Sequence, residues 1–210
     1  MPAVPARTGY WPVQLARAVP ALIVGLVITF SADHSSTFGL LVFGAFAIVS
    51  GAVLAWGSLR LDGRTPRILT LVQAVVAVAS GIAAVVLNST GAGALFLLLI
   101  TFAAVTGLLE LYLGLRSRGR LALSRDWVTV GVLTALLALA VLLVPADYAV
   151  PWAVDDKGVT ASGTLTAQII VVGVFGAYAI LLGVYLVIGG LSTRWAARED
   201  AATPTPATGQ

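Results

Sequence analysis

The chain has 210 residues, 59% of them hydrophobic and only 10% charged, with a formal net charge of +3 and a mean hydropathy of +1.01. A soluble domain needs about 25% charged residues to cover itself with a hydrated surface, so this composition excludes one and puts a bilayer where water would be. Cysteine is absent and His34 is the single histidine, which excludes a disulfide framework, a thiolate nucleophile and a cysteine- or histidine-ligated metal centre.

In chain order, residues 1–10 contain prolines but no apolar run and are expected to be disordered. The first apolar stretch, 13–31, is too long for a signal-peptide core, and Ser31-Ala32-Asp33 is a poor cleavage site, so it reads as a retained helix. Five more follow at 38–59, 68–87, 93–115, 127–144 and 165–191. Each has roughly the 17–25 residues that cross about 30 Å of hydrocarbon. The last is longer and is expected to tilt or project. After Arg194 the composition turns to Ala, Thr and Pro, and 195–210 is expected to be a disordered tail. The fold class expected is all-α, with six transmembrane helices over 11–194.

The arginines set the orientation. Arg7 and Arg17, then Arg60, Arg64 and Arg67, then four between Arg116 and Arg125, then Arg194 and Arg198 all fall on one side of a six-span topology. The other side has Lys157 against Asp33, Asp147, Asp155 and Asp156. Basic residues are retained in the cytoplasm, so both termini are expected inside. Because they lie between apolar runs and form no patch, nucleic acid is not an expected partner. Trp11, Trp56, Trp127, Trp152 and Trp195 fall near span ends, where an aromatic belt is expected.

An internal repeat organises the spans. At an offset of 56, Leu15, Ala18 and Gly25 meet Leu71, Ala74 and Gly81, while Gly51, Leu59 and Arg60 meet Gly107, Leu115 and Arg116. A third copy shows in Phe43-Gly-Ala-Phe-Ala-Ile-Val-Ser-Gly51, which returns as Phe175-Gly-Ala-Tyr-Ala-Ile-Leu-Leu-Gly183. The copies run over about 13–60, 68–116 and 127–194 and form three parallel helical hairpins. The third departs in having Ala138 where Gly25 and Gly81 predict glycine, and in a long outer connection over about 145–164. Small residues recur every seven positions in the even-numbered helices: Gly44 and Gly51; Gly107 and Gly114; Gly176, Gly183 and Gly190. With Gly25 and Gly81 they are expected to be helix-packing positions, since glycine lets backbones approach in lipid. Pore lining is the alternative.

Three hairpins with a Gly-rich second helix ending in small-x-x-x-Arg resemble the HdeD-like acid-resistance membrane proteins. The similarity covers about residues 11–194 and rests on Phe43-Gly44…Gly51, Gly107…Arg116, Phe175-Gly176…Gly183, Gly25 and Gly81. It implies a non-enzymatic, multi-pass protein of a bacterial inner membrane with a role in acid or envelope stress. The partners expected are the lipid bilayer and a second copy in a homo-oligomer. No cofactor is expected, and no nucleotide-binding, nucleophile-elbow or zinc motif occurs in the sequence. A small transporter or channel for a proton, ion or neutral solute is the other function considered.

Two sets of residues are candidates for more than packing. Arg17, Gln73 and Glu110 lie inside spans, about 9 Å from the helix ends, where an ionisable group is a functional candidate by default. An Arg17–Glu110 pair with Gln73 beside it is one expectation. The other has Arg17 reaching the headgroups and Glu110 pairing with a loop arginine such as Arg116. On the outer side, Asp33, His34, Asp147, Asp155 and Asp156 face the compartment that acidifies first, and carboxylates and imidazole titrate in the acid range. These five are a candidate pH-responsive set, or simply a solvated acidic surface.

Overall fold

A computed structural model describes residues 10–119, 121, 123–156 and 159–202. They form six helices: α1 (Trp11–Phe30), α2 (Ser36–Ser58), α3 (Arg64–Val86), α4 (Ala92–Arg116), α5 (Ser124–Leu142) and α6 (Ala167–Ala202). All six are long and apolar enough to cross a membrane, because their side chains are apolar around the whole circumference rather than along one stripe. The connections are short and locally specified. Ser35 caps α2 by accepting from the Phe38 amide at 3.2 Å. Gly63 and Gly91, at φ +94° and +93°, begin α3 and α4 in backbone conformations that a β-carbon disfavours.

Two boundaries differ from expectation. Tyr10, assigned to a disordered start, is 4% exposed and packs beneath the bundle with Val13, Leu61, Leu113 and Trp127. The tail expected to lose order after Arg194 continues as helix to Ala202. The run Trp195–Ala202 holds four alanines, an arginine and a glutamate, all strong helix formers, and the helix-breaking prolines come only at 204 and 206. Residues 1–9 and 203–210 lie outside the described residues. A third difference lies in the long outer connection, which folds into an antiparallel hairpin of β1 (Ala149–Asp156) and β2 (Val159–Thr166). Val150, Trp152 and Val154 alternate with smaller residues at the strand period of two.

The helices close into a ring. Each packs on the next in sequence, and α6 packs on α1. The most extensive contacts are α2 on α3, α4 on α5 and α6 on α1, so the tightest pairs are not the sequence-adjacent hairpins α1–α2, α3–α4 and α5–α6. The even helices also touch one another at the centre. Glycine explains the tight pairs. A β-carbon on Gly51 would meet the Ala74 carbonyl oxygen at 2.8 Å, and one on Gly107 the Ala135 amide at 2.8 Å. Gly44 and Gly81 face each other's carbonyl oxygens across α2–α3, and a β-carbon on Gly114 would meet the Val128 amide at 2.6 Å. On α6, Gly176, Gly183 and Gly190 receive Ile28, Leu22 and Leu15 of α1, whose Gly25 in turn receives Ile180. Backbones at that separation maximise dispersion, which holds helices together where lipid removes the hydrophobic drive. These glycines face the partner helix of their tight pair and do not line the central cavity described below.

The axis is filled by aromatic rings from the even helices. Phe43 and Phe46 (α2), Phe102 (α4) and Phe175 (α6) meet edge to face at centroid distances of 5.2–6.3 Å, the geometry that the ring quadrupole favours.

A buried polar centre on one side of an aromatic seal

The start of α1, the end of α6 and most of the described arginines are at one end of the bundle, the arginine end; the β-hairpin is at the other. The core is divided along that axis. Every buried polar or charged residue among those described lies in the arginine-end half of its helix or beside that end, except Thr134 at the midpoint of α5. In the opposite half the axis is lined by Leu40, Leu95, Leu99 and Val172, each no more than 1% exposed.

Arg17, Gln73 and Glu110 come together from three helices. Arg17 Nη1 donates to Glu110 Oε1 at 2.8 Å and Nη2 to Oε2 at 3.3 Å, a two-point fork. Gln73 Nε2 adds a third donor to Glu110 Oε2 at 3.0 Å. Glu110 is 2% exposed and Arg17 8%. The alternative in which Arg17 extends to the headgroups and Glu110 turns to a loop arginine is not what the structure holds. Arg116 instead donates to Tyr112, on its own helix. The physical reason is distance to relief: a guanidinium about 9 Å inside its helix end finds a carboxylate on the facing wall of the same ring, and two buried charges compensate best as a hydrogen-bonded pair.

Immediately above the pair is a cavity with about 20 Å³ of room for a water centre, lined by Arg17, Gln73, Glu110, Thr106, Thr134 and Tyr178 among others. About one water fits. Thr134 and Tyr178 share a hydrogen bond of 2.9 Å at its far wall, beyond which Phe46 and Phe102 begin the aromatic seal. Beneath the pair, Tyr10, Val13, Leu61, Leu113 and Trp127 form an apolar floor. The charged centre is therefore enclosed from both ends.

Sequence reasoning missed a second buried carboxylate. Asp126, in the first turn of α5 and 8% exposed, accepts from Gln14 Nε2 at 2.8 Å and from the Tyr185 hydroxyl at 3.2 Å. Its neighbour Arg125 made it read as part of a solvated connection, and the signal overlooked was the helix start at Ser124. Gln14 precedes Arg17 by one helical turn, so α1 supplies a partner to each buried carboxylate.

The outer acidic set is spread over two connections, α1–α2 and α5–α6. Asp33 and His34 occupy the α1–α2 turn, and Asp147 precedes the hairpin; the side chains of Asp155 and Asp156 lie outside those described. Asp33 Oδ1 accepts from the Ser35 amide at 2.8 Å, and that bond holds its carboxyl below its ordinary value of 3.8. A carboxylate depressed in the folded state contributes stability that is present above the unfolded value and is lost as pH falls through the folded one. The Ser35 amide is therefore expected to keep its hydrogen-exchange protection down through pH 3.8 and lose part of it only below. Asp33→Asn keeps an acceptor but cannot titrate, so its protection profile should be flat. A wild-type profile that breaks well above pH 4 would contradict this assignment.

No protein-family model, curated protein or solved structure matches the chain.

Proposed function

We propose that the chain is a non-enzymatic integral membrane protein of the HdeD-like type, seated in a bacterial inner membrane with both termini in the cytoplasm, contributing to tolerance of acid or envelope stress. The observation that carries the reading is the division of the core. With the arginine end inside, the Arg17–Glu110 pair sits on the cytoplasmic side of the Phe43–Phe46–Phe102–Phe175 seal. The compartment that acidifies first then meets only an apolar half-core and solvated loops. Such a bundle sets its one interior ion pair, among the described residues, behind the aromatic seal and away from that compartment. The three-copy reading is supported by the seam. Gly51, Gly107 and Gly183 each meet an odd helix at Val78, Ala135 and Leu22 respectively, positions that the offset of 56 matches to within one residue.

A transporter is the second reading, favoured by the line of polar groups from Asp126 and Gln14 through Arg17 and Glu110 to Thr134 and Tyr178 at mid-helix. It is opposed by the aromatic seal, beyond which the axis is apolar. The two readings separate in paired experiments. A deletion strain challenged at low external pH is expected to lose viability and to regain it with the wild-type gene. Proteoliposomes under a pH gradient are expected to leak protons no faster than empty ones. Survival equal to wild type would sink the stress role, and sustained flux would install transport in its place.

A further inference from the structure

The β-hairpin has two chemically different faces. Cross-strand pairing sets Val150 opposite Leu165 and Trp152 opposite Gly163, so Val150, Trp152, Val154 and Leu165 share one face by strand alternation. Pro151, Ala153, Ser162 and Thr164 share the other. The apolar face is uncovered: its four side chains are 46%, 48%, 55% and 37% exposed in that order. The Trp152 indole lies over Gly163, where a β-carbon would meet Cζ2 at 2.9 Å, so the ring is laid across the sheet and widens that face. A two-stranded sheet alone in water is marginal. The hairpin packs on α6 through β2, which runs into that helix without a linker while the Ala167 amide bonds the Tyr148 carbonyl at 2.9 Å.

Three observations identify what covers the face. First is size. A whole tryptophan buries about 150–250 Å², so half an indole with three partly exposed aliphatic chains offers roughly 300–350 Å². A stable protein interface takes about 800 Å² from each partner. Second is charge. Residues 149–154 and 162–166 carry none, and the charged residues described in the segment, Asp155 and Asp156, end β1 at its far end. Third is position. The base of the hairpin continues the lipid-facing end of α5, where Leu142 and Leu143 are 65% and 71% exposed. The headgroup zone is only about 5–8 Å deep on each side, whereas strand rise would carry Val154 about 17 Å from Ala149 if the hairpin stood upright. Upright, the apolar face would stand in water. Full insertion is excluded in turn, because the open edges of a two-stranded sheet have no partners in hydrocarbon.

We propose that the β1–β2 hairpin lies along the outer membrane–water interface, with Val150, Trp152, Val154 and Leu165 seated at the headgroup–acyl boundary and its charged tip turned to water. The hairpin is then a lipid-docking element, and the face that selects it is the indole flanked by two valines. The proposal rests on the membrane-spanning fold and, for the side it names, on the orientation proposed above, and not on the stress role.

The absence of native cysteine makes the test clean. Single cysteines are placed in the full-length chain at 150, 151, 152, 153, 154, 162 and 165 and carry a nitroxide label. The proteins are reconstituted in phosphatidylethanolamine–phosphatidylglycerol vesicles, and collision with oxygen is compared with collision with a water-soluble nickel chelate. Labels at 150, 152, 154 and 165 are expected to favour oxygen, with chelate access several-fold below that at 151, 153 and 162. Equal chelate access on both faces would overturn the proposal in favour of an upright hairpin. Exclusion of both reagents from the apolar face would overturn it in favour of a protein cover, a second copy included. Labels at 150 and 154 leave Trp152 in place, so the pattern can be read even if the 152 variant fails to fold.

Discussion

Glu110→Gln is expected to destabilise the protein by about 3–5 kcal/mol, the cost of leaving one member of a buried pair without its counter-charge. The substitution keeps the size and one acceptor oxygen, so packing is barely disturbed. What changes is that Arg17, 8% exposed and about 9 Å inside its helix end, loses its fork. Arg17→Gln should cost a comparable amount by stranding Glu110 with Gln73 alone. The informative variant is the double replacement Arg17→Gln with Glu110→Leu. At the matching positions of the other copies the chain already has Gln73 for Arg17, and Leu54 and Leu186 for Glu110. The double variant should recover most of the loss, because removing both charges together removes both desolvation penalties. Thermal unfolding in detergent of this variant, of Arg17→Gln and of Glu110→Leu alone, read as a double-mutant cycle, gives the coupling. Additive losses would mean that the pair contributes nothing as a pair.

Gly131→Ala should be nearly as damaging as the charge substitutions, at about 2–3 kcal/mol, although it adds a single methyl. Its β-carbon would fall on the Leu111 backbone amide and lie 2.9 Å from the Gly107 carbonyl oxygen. Neither atom can turn aside as a side chain would, so α4 and α5 must separate. Gly173→Ala is the control on the same kind of helix backbone. A β-carbon there meets nothing within 4 Å, and alanine should stabilise α6 by about 0.5–1 kcal/mol through helix propensity. Opposite signs for one chemical change would establish that close backbone approach holds these helices together. If both variants melted alike, the seam would be incidental.

What could be read from the sequence followed the strength of the physical contrast. Six apolar runs in a chain that is 10% charged are hard to mistake, and Arg17 and Glu110 stood out because each interrupts such a run. Their pairing could be named only as one of two arrangements, since the choice depends on α1 and α4 meeting across a ring. Periodicity shows which residues share a face, not which helix that face will find. Asp126 was hidden for a related reason: beside Arg125 it resembled a flanking loop, and only the packing of Gln14 and Tyr185 makes it interior. Gly131 lies outside the seven-residue series of the even helices, so the sequence pattern passed over a position with the tightest backbone approach. Pro151 disguised the hairpin, because proline argues against a strand except at an edge, and in a two-stranded sheet both strands are edges.

The ring closes by setting the first helix against the last, and that contact has a bearing on how the molecule is made. Synthesis delivers α1 long before α6, so the groove that receives Gly176, Gly183 and Gly190 stands open in the nascent chain until the final span arrives. Arg17 likewise waits for α4 before it meets Glu110, and in that interval a guanidinium near the helix end can be satisfied only by headgroups. A chain that stops short of residue 167 lacks the helix whose glycines seat Ile28, Leu22 and Leu15, and the ring has no last member to close it.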